Sequence, residues 1–279
     1  MFASRIVASI VLALAVAAGE SDAASPIEGD ARLRAELERV AQERIFFGHQ
    51  SVGGNLLDGI RQLATMAGVN LRMVETPAAS GVGPATLGHV FVSRNGYPLQ
   101  KLQFFEHAMG SQPAGLDIAL VKFCYLDFTA ETDAKALFAR YRATIDELRA
   151  INGGTTFVHV TAPLTDVQGG IKALVKRLLG RAPYGVLENL RREEYNALLR
   201  QAYNGSEPVF DLARIESTAP DGSAVNVAWN GRIAPAMAPA YTDDGGHLNG
   251  SGRLRAAREL IAILAAVPQR PAAAGRPAR

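Results

Sequence analysis

A single cysteine, Cys124, stands in a chain of 279 residues, so no internal disulfide can form. It closes the apolar run Ile118 to Cys124, a setting that reads as a small buried hydrophobe rather than a nucleophile. Neither sign of charge is in excess: 29 Lys and Arg against 27 Asp and Glu leave a formal charge of +2, spread along the chain. That balance lacks the basic stripe of a nucleic-acid binder and favours a small neutral or mildly polar partner. Histidine is scarce, with five in all. A metal site built on Asp243, Asp244 and His247 with His49 or His89 lacks the clustered spacing of a metal motif, so no metal and no cofactor is expected. Internal repeats are absent, as is any linker that would divide the chain in two.

Apolar runs long enough to span a bilayer are also lacking. The longest, Ile6 to Ala18, follows Arg5 and precedes the small and polar segment Gly19 to Ser25, which is the layout of a cleavable signal peptide over residues 1–24. The expectation is an exported, periplasmic or secreted protein with no stable membrane span after cleavage. At the other end, residues 268–279 are rich in Pro, Ala and Arg without apolar periodicity and read as a disordered tail.

Between these ends lie residues 25–267, one domain with enough apolar content (48% of the chain) for a sizeable core. Short continuous apolar runs alternate with longer stretches of helical period, as in a parallel sheet covered by helices. After a leading helix over Asp30 to Arg44, the spacing predicts strands at Ile45–Phe47, Leu71–Glu75, Ile118–Cys124, Thr156–Val160 and Pro208–Leu212. It predicts helices at Val52–Met66, Pro98–Met109, Glu131–Ile151, Ile171–Leu179, Leu187–Tyr203 and Gly250–Ala266. Right-handed crossovers then give an α/β fold, a three-layer α/β/α sandwich around a parallel sheet of about five strands. Ligand sites of such sheets lie beyond the carboxyl ends of the strands.

Two segments carry chemistry. In Phe46-Phe47-Gly48-His49-Gln50-Ser51-Val52 an apolar strand breaks at glycine and turns through a serine into a helix. Ser51 there is either a helix cap or a nucleophile projecting above the sheet, beside N–H groups able to hold an oxyanion. Asp244-Gly245-Gly246-His247 precedes the last helix. A serine hydroxyl needs a base and the base needs an orienting carboxylate; His247 and Asp244 can supply both from one loop, with Asp243 as the competing carboxylate.

Taken together, the serine block, the Asp-x-x-His block and the strand order over Ile45 to Leu264 resemble the SGNH/GDSL hydrolase superfamily. The resemblance implies its flavodoxin-like architecture and an esterase, lipase, thioesterase, carbohydrate O-acetyl esterase or acyltransferase activity. It makes Ser51 the nucleophile, His247 the base and Asp244 its partner. Two departures stand out. Gly48-His49-Gln50-Ser51 replaces the usual Gly-Asp-Ser, and Leu126 falls where the family places its oxyanion asparagine. The resemblance nominates Gly96, in Asn95-Gly96, as an oxyanion donor, with Gly81 and Gly83 as competitors. Asn95, Tyr125 or Lys122 are candidates to replace the missing asparagine. The expected function is an exported esterase acting on O-acyl or O-acetyl esters of a carbohydrate. The alternatives are an O-acyltransferase using the same site, or a catalytically impaired carbohydrate- or acyl-binding protein on the same fold.

His49 is a candidate pocket residue, while His107 and His159 read as structural. Asn189, Arg192 and Asn196 share one helix face suited to solvent or to bracing a loop. Trp229 and Tyr241 offer either an aromatic wall or a satellite core.

Overall fold

A computed structural model describes residues 26–269. Residues 1–25, which hold the expected signal segment, and residues 270–279 of the expected tail lie outside the described residues.

The central strand is β1 (Arg44–His49), buried on both faces. It pairs in parallel with β3 (Thr86–Phe91) on one side and β4 (Ile118–Val121) on the other. With β2 (Met73–Glu75) and β5 (Thr156–Phe157) the parallel order is β2-β3-β1-β4-β5. Only Val158 separates β5 from β6 (His159–Val160), which pairs in parallel with β7 (Val209–Phe210). Its N–H donates to Ala119 O (3.0 Å), so the second ladder continues that edge.

Side chains alternate across a strand, and β1 shows the consequence. Ile45 and Phe47 enter one core with α2 (Ser51–Met66), α8 (Gly250–Ala266) and Leu37 and Val40 of α1 (Pro26–Val40). Phe46 enters the other, with α3 (Pro98–Met109), α4 (Ala134–Ile151) and α6 (Val186–Tyr203). Burying each of these aromatic side chains contributes about 1.5–3 kcal/mol. The two cores and the sheet between them make the three-layer sandwich. Gly48 lets α3 approach: a Cβ there would stand 2.7 Å from Phe105 Cδ2 and 2.9 Å from Val92 Cγ1.

Three differences from the sequence reading have physical causes. The segment 76–96, expected as loop, contains β3, a central strand of the sheet. Gly88 and His89 interrupt its apolar run, and a Cβ on Gly88 would stand 2.5 Å from Val82 Cγ2 in the covering loop. The region around Trp229 forms a hairpin, β8 (Asn226–Trp229) and β9 (Arg232–Pro235), closed by Asn230-Gly231 with φ of 47° and 74°, the pair a tight hairpin turn favours. The leading helix spans residues 26–40 rather than 30–44, because Arg44 already pairs with Thr86 in β1. Two shorter helices, α5 (Gly170–Leu178) and α7 (Leu212–Glu216), complete the chain.

Candidate active site

Ser51 opens α2 directly beyond the carboxyl end of β1. The residue in the cap position is Gln50, in extended backbone, and its side chain makes no cap bond. Instead Gln50 Nε2 donates to Val92 O at 2.7 Å and also to Ser93 O, fastening the loop after β3 beside the serine. Ser51 Oγ does not cap the helix either. It lies 2.9 Å from His247 Nε2. The N–H groups of a helix's first turn have no intrahelical acceptor, so the α2 terminus presents donors and the positive end of its dipole beside this hydroxyl.

The histidine loop is built around one carboxylate. Asp244 Oδ1 accepts from Gly246 N (2.9 Å) and His247 N (2.8 Å), and Asp244 Oδ2 lies 2.6 Å from His247 Nδ1. The two backbone N–H groups, of His247 first and Gly246 next, hold the Asp244 carboxyl well below the usual carboxylate range. An ionised Asp244 fixes the tautomer: Nδ1 carries the proton, and Nε2 is free to accept from Ser51. Asp243, the competing carboxylate, instead meets Asn249 Nδ2 at 3.4 Å.

Neighbouring elements hold the loop from several sides. Leu248 N donates to Asn55 Oδ1 on α2 (3.2 Å), Asp166 N donates to Gly245 O (2.9 Å), and Asn249 caps α8 through Gly252 N (3.1 Å). Tyr125 meets His247 edge to face with centroids 5.6 Å apart. Its ring lies so close to the loop that a Cβ on Gly246 would stand 2.6 Å from Tyr125 Cζ. Burial pushes the Tyr125 hydroxyl up to about 12, so it stays protonated. Tyr125, Leu126, Asp166, Gln168, Tyr184 and Gly246 line a cleft of ≈ 360 Å³ that reaches the serine-histidine-aspartate line at Asp244, with neither Ser51 nor His247 in its wall. A larger concavity of ≈ 580 Å³, between the start of α4 and α6, contains none of these groups.

The remaining candidates divide into engaged and open groups. Gly96 N donates to Asp127 Oδ1 (2.8 Å), so this N–H is committed to the protein. Gly81 and Gly83 sit in the loop ahead of β3, at the opposite end of that strand from Asn95. Lys122 is buried and donates to Phe123 O (2.8 Å) rather than to Asp127; burial lowers it to about 8. Asp127 belongs to Lys101: their charged groups meet at 2.7 Å with both side chains wholly buried. Lys101 Nζ also donates to Asn95 Oδ1 (2.8 Å), which fixes the Asn95 amide with its Nδ2 directed away from that contact. Leu126 is 44% exposed at the cleft.

His49 is not a pocket residue. Its ring is wholly buried, with Nδ1 2.9 Å from Gln50 O and Nε2 3.1 Å from His89 Nδ1, and burial lowers it to about 4. His159 stacks on Tyr203 (centroids 3.5 Å apart) and burial lowers it likewise to about 4. His107 is exposed on α3.

The α6 face of Asn189, Arg192 and Asn196 is buried and braces the loop after β6. Asn189 and Asn196 each pair with the backbone of one loop residue, Thr165 and Ala162, while Arg192 reaches Thr165 Oγ1 and Tyr125 O. Tyr241 is in the main core, and Trp229 packs on a satellite cluster with Val186 and Val227, so neither forms a wall of the cleft. Sequence reasoning missed Gln50, Asn55, Asp166 and Lys101. Each acts through a partner distant in sequence, and none carries a local signal.

No family model matches the chain, and no curated protein matches it. Among solved structures it is similar to a GDSL-like lipase from Bacteroides thetaiotaomicron, at 12% identity over 86% of this chain and 97% of that one, with a TM-score of 0.49. It is similar also to a "possible lipase" from Chitinophaga pinensis (15% identity, 78% and 96% covered, TM-score 0.42). A third is the periplasmic domain of a Salmonella ser. Paratyphi A lipopolysaccharide acetyltransferase (13% identity, 78% and 82% covered, TM-score 0.39).

Proposed function

We propose that this chain is an exported serine hydrolase of SGNH/GDSL type acting on O-acyl or O-acetyl esters, with a carbohydrate as the alcohol part. The observation that carries the reading is the unbroken line Asp244 Oδ2, His247 Nδ1, His247 Nε2, Ser51 Oγ, with contacts of 2.6 and 2.9 Å. As Ser51 Oγ attacks the ester carbonyl, its proton passes to His247 Nε2, and Asp244 stabilises the imidazolium. His247 then returns that proton to the departing alkoxide, leaving an acyl group on Ser51 Oγ. A water that gives a proton to His247 attacks the acyl-enzyme, and the acid leaves as Ser51 regains its proton. A sugar hydroxyl in place of that water makes the same site a transferase.

The oxyanion needs donors. The N–H of Ser51 at the α2 terminus is one, and Asn95 Nδ2 is the second, standing in for the asparagine that Leu126 replaces. Its support is the Lys101 contact that orients the amide and the Gln50 tether that holds its loop beside Ser51. Tyr125 positions His247 and forms a substrate wall, with Leu126 exposed beside it. Export rests on the N-terminal layout of Arg5, Ile6 to Ala18 and the small residues that follow. Hydrolysis of short-chain p-nitrophenyl esters tests the reading. Ser51→Ala should lower kcat by about 10³-fold or more, and equal activity in the two proteins would overturn it. Acetate release from an acetylated oligosaccharide tests the alcohol part.

A further inference from the structure

Helix α5 is amphipathic in the wrong direction for a protein core. Ile171 (81% exposed), Leu174, Val175, Leu178 (78%) and Leu179 form one apolar face, and all are open to solvent. The single buried residue of the helix is Ala173, on the opposite side. Lys172 and Lys176 flank the apolar stripe on one edge and Arg177 on the other, and Arg181 follows the helix. No acidic residue occurs between Asp166 and Glu188.

The excursion that carries the helix starts and ends at the cleft that reaches Asp244. Gln168 and Tyr184 close the base of this excursion through Gln168 N to Tyr184 O (3.0 Å) and Tyr184 N to Gln168 Oε1 (3.3 Å), and both line the cleft. Two residues before Gln168, Asp166 N holds Gly245 O beside Asp244. On its far side Arg177 lies over the Trp229 ring, 5.9 Å from the centroid, which props the helix on the β8–β9 hairpin.

We propose that α5 is an interfacial helix that lays the rim of the cleft onto an anionic lipid surface. An apolar stripe bordered by cations and free of acidic groups matches lipid acyl chains below a layer of anionic headgroups. A second copy of this chain is a poorer match, because a two-fold pairing of the stripes would set one cationic border against another. The substrate would then be an amphiphile, its ester presented at the lipid surface; this clause alone rests on the proposed hydrolase activity.

Sedimentation of the full chain with vesicles tests the docking. All proteins keep the same length, so that residues 1–25 contribute equally. The wild type should pellet with phosphatidylcholine–phosphatidylglycerol vesicles far more than with phosphatidylcholine alone, and salt should weaken it. Lys172→Gln/Lys176→Gln should lower the partition about 25-fold, at about fivefold per cation. Ile171→Asn/Leu178→Asn should abolish it. Both variants should hydrolyse a short soluble ester at the wild-type rate and lose activity only on a long-chain ester in vesicles. Ser51→Ala should bind vesicles as the wild type does, so failure of the hydrolase reading and failure of docking are told apart. Docking is overturned if the wild type does not pellet with anionic vesicles, if either variant pellets equally well, or if light scattering shows a dimer that Ile171→Asn/Leu178→Asn splits.

Discussion

The buried Lys101–Asp127 pair ties the start of α3, and through Asn95 and Gly96 the loop after β3, to the turn after β4, and breaking it should be costly in a specific pattern. Asp127 accepts four hydrogen bonds: from Gly96 N, from Cys124 N, and two from Lys101 Nζ. Lys101→Met leaves an uncompensated carboxylate in a wholly buried position, at about 3–5 kcal/mol. Asp127→Leu strands the ammonium, again at about 3–5 kcal/mol, and orphans the buried Cys124 N–H for about 1–3 kcal/mol more. In Lys101→Met/Asp127→Leu the two charges vanish together while the Cys124 N–H and Asn95 Oδ1 still lack partners. The double variant should therefore be more stable than Asp127→Leu by about 2 kcal/mol, the stranded ammonium's about 3–5 kcal/mol less about 1–3 kcal/mol for Asn95 Oδ1, a strong departure from additivity. Urea unfolding of the four proteins, with unchanged m-values, measures the cycle. Ester hydrolysis gives a second readout: kcat should stay depressed in the double variant because Asn95 and Gly96 have lost their tether. Single costs that add to within about 0.5 kcal/mol would refute the reasoning.

Other expectations follow from single contacts. Gly246→Ala should cost about 1–3 kcal/mol by driving a methyl group into the Tyr125 ring; thermal melts should show a smaller cost in a Tyr125→Leu background. His49 and His159, both lowered to about 4, stabilise the fold fully above pH 6.5 and lose that contribution as pH falls towards 4. Glu216, raised by burial to about 8, acts in the opposite sense between pH 4.5 and 8. On unfolding between pH 6.5 and 4.5 the two histidines take up protons and Glu216 releases one, a net uptake, so stability should fall by about 2 kcal/mol over that span in urea titrations, and a flat profile would contradict it. Asp244→Asn should lower kcat by about 10³–10⁴-fold with KM little changed, because an amide can stabilise the wrong imidazole tautomer. A tenfold effect or less in steady-state kinetics would remove Asp244 from the proposed mechanism.

What was legible in the sequence tracks how local each signal is. Helices α3 and α8 lie where their periodicity, Pro98 and the Asn249 cap put them, and the apolar run before Gly48 is a central strand. Strand β3 was illegible because its fit comes from Val82 folding over Gly88, a contact with no local signature. The Asn230-Gly231 hairpin had a readable turn, hidden within a long segment rich in glycine and proline. Ser51, His247 and Asp244 were nominated from two short blocks 196 residues apart, and the structure brings their side chains into one line. The commitment of Gly96 to Asp127 was out of reach, since the partner lies 31 residues away and the contact depends on the turn after β4. Arg192 read as a surface or bracing residue and is buried, because its guanidinium exchanges water for Thr165, Asn189 and the Tyr125 carbonyl.

The proposed nucleophile is open to one direct measurement, which is the mass of the chain after brief exposure to a fluorophosphonate. A single adduct on the peptide containing Ser51, absent in Ser51→Ala and formed far more slowly in His247→Ala, is the predicted result. No adduct on the folded wild type, or an adduct on another residue that accompanies loss of ester hydrolysis, would contradict the account.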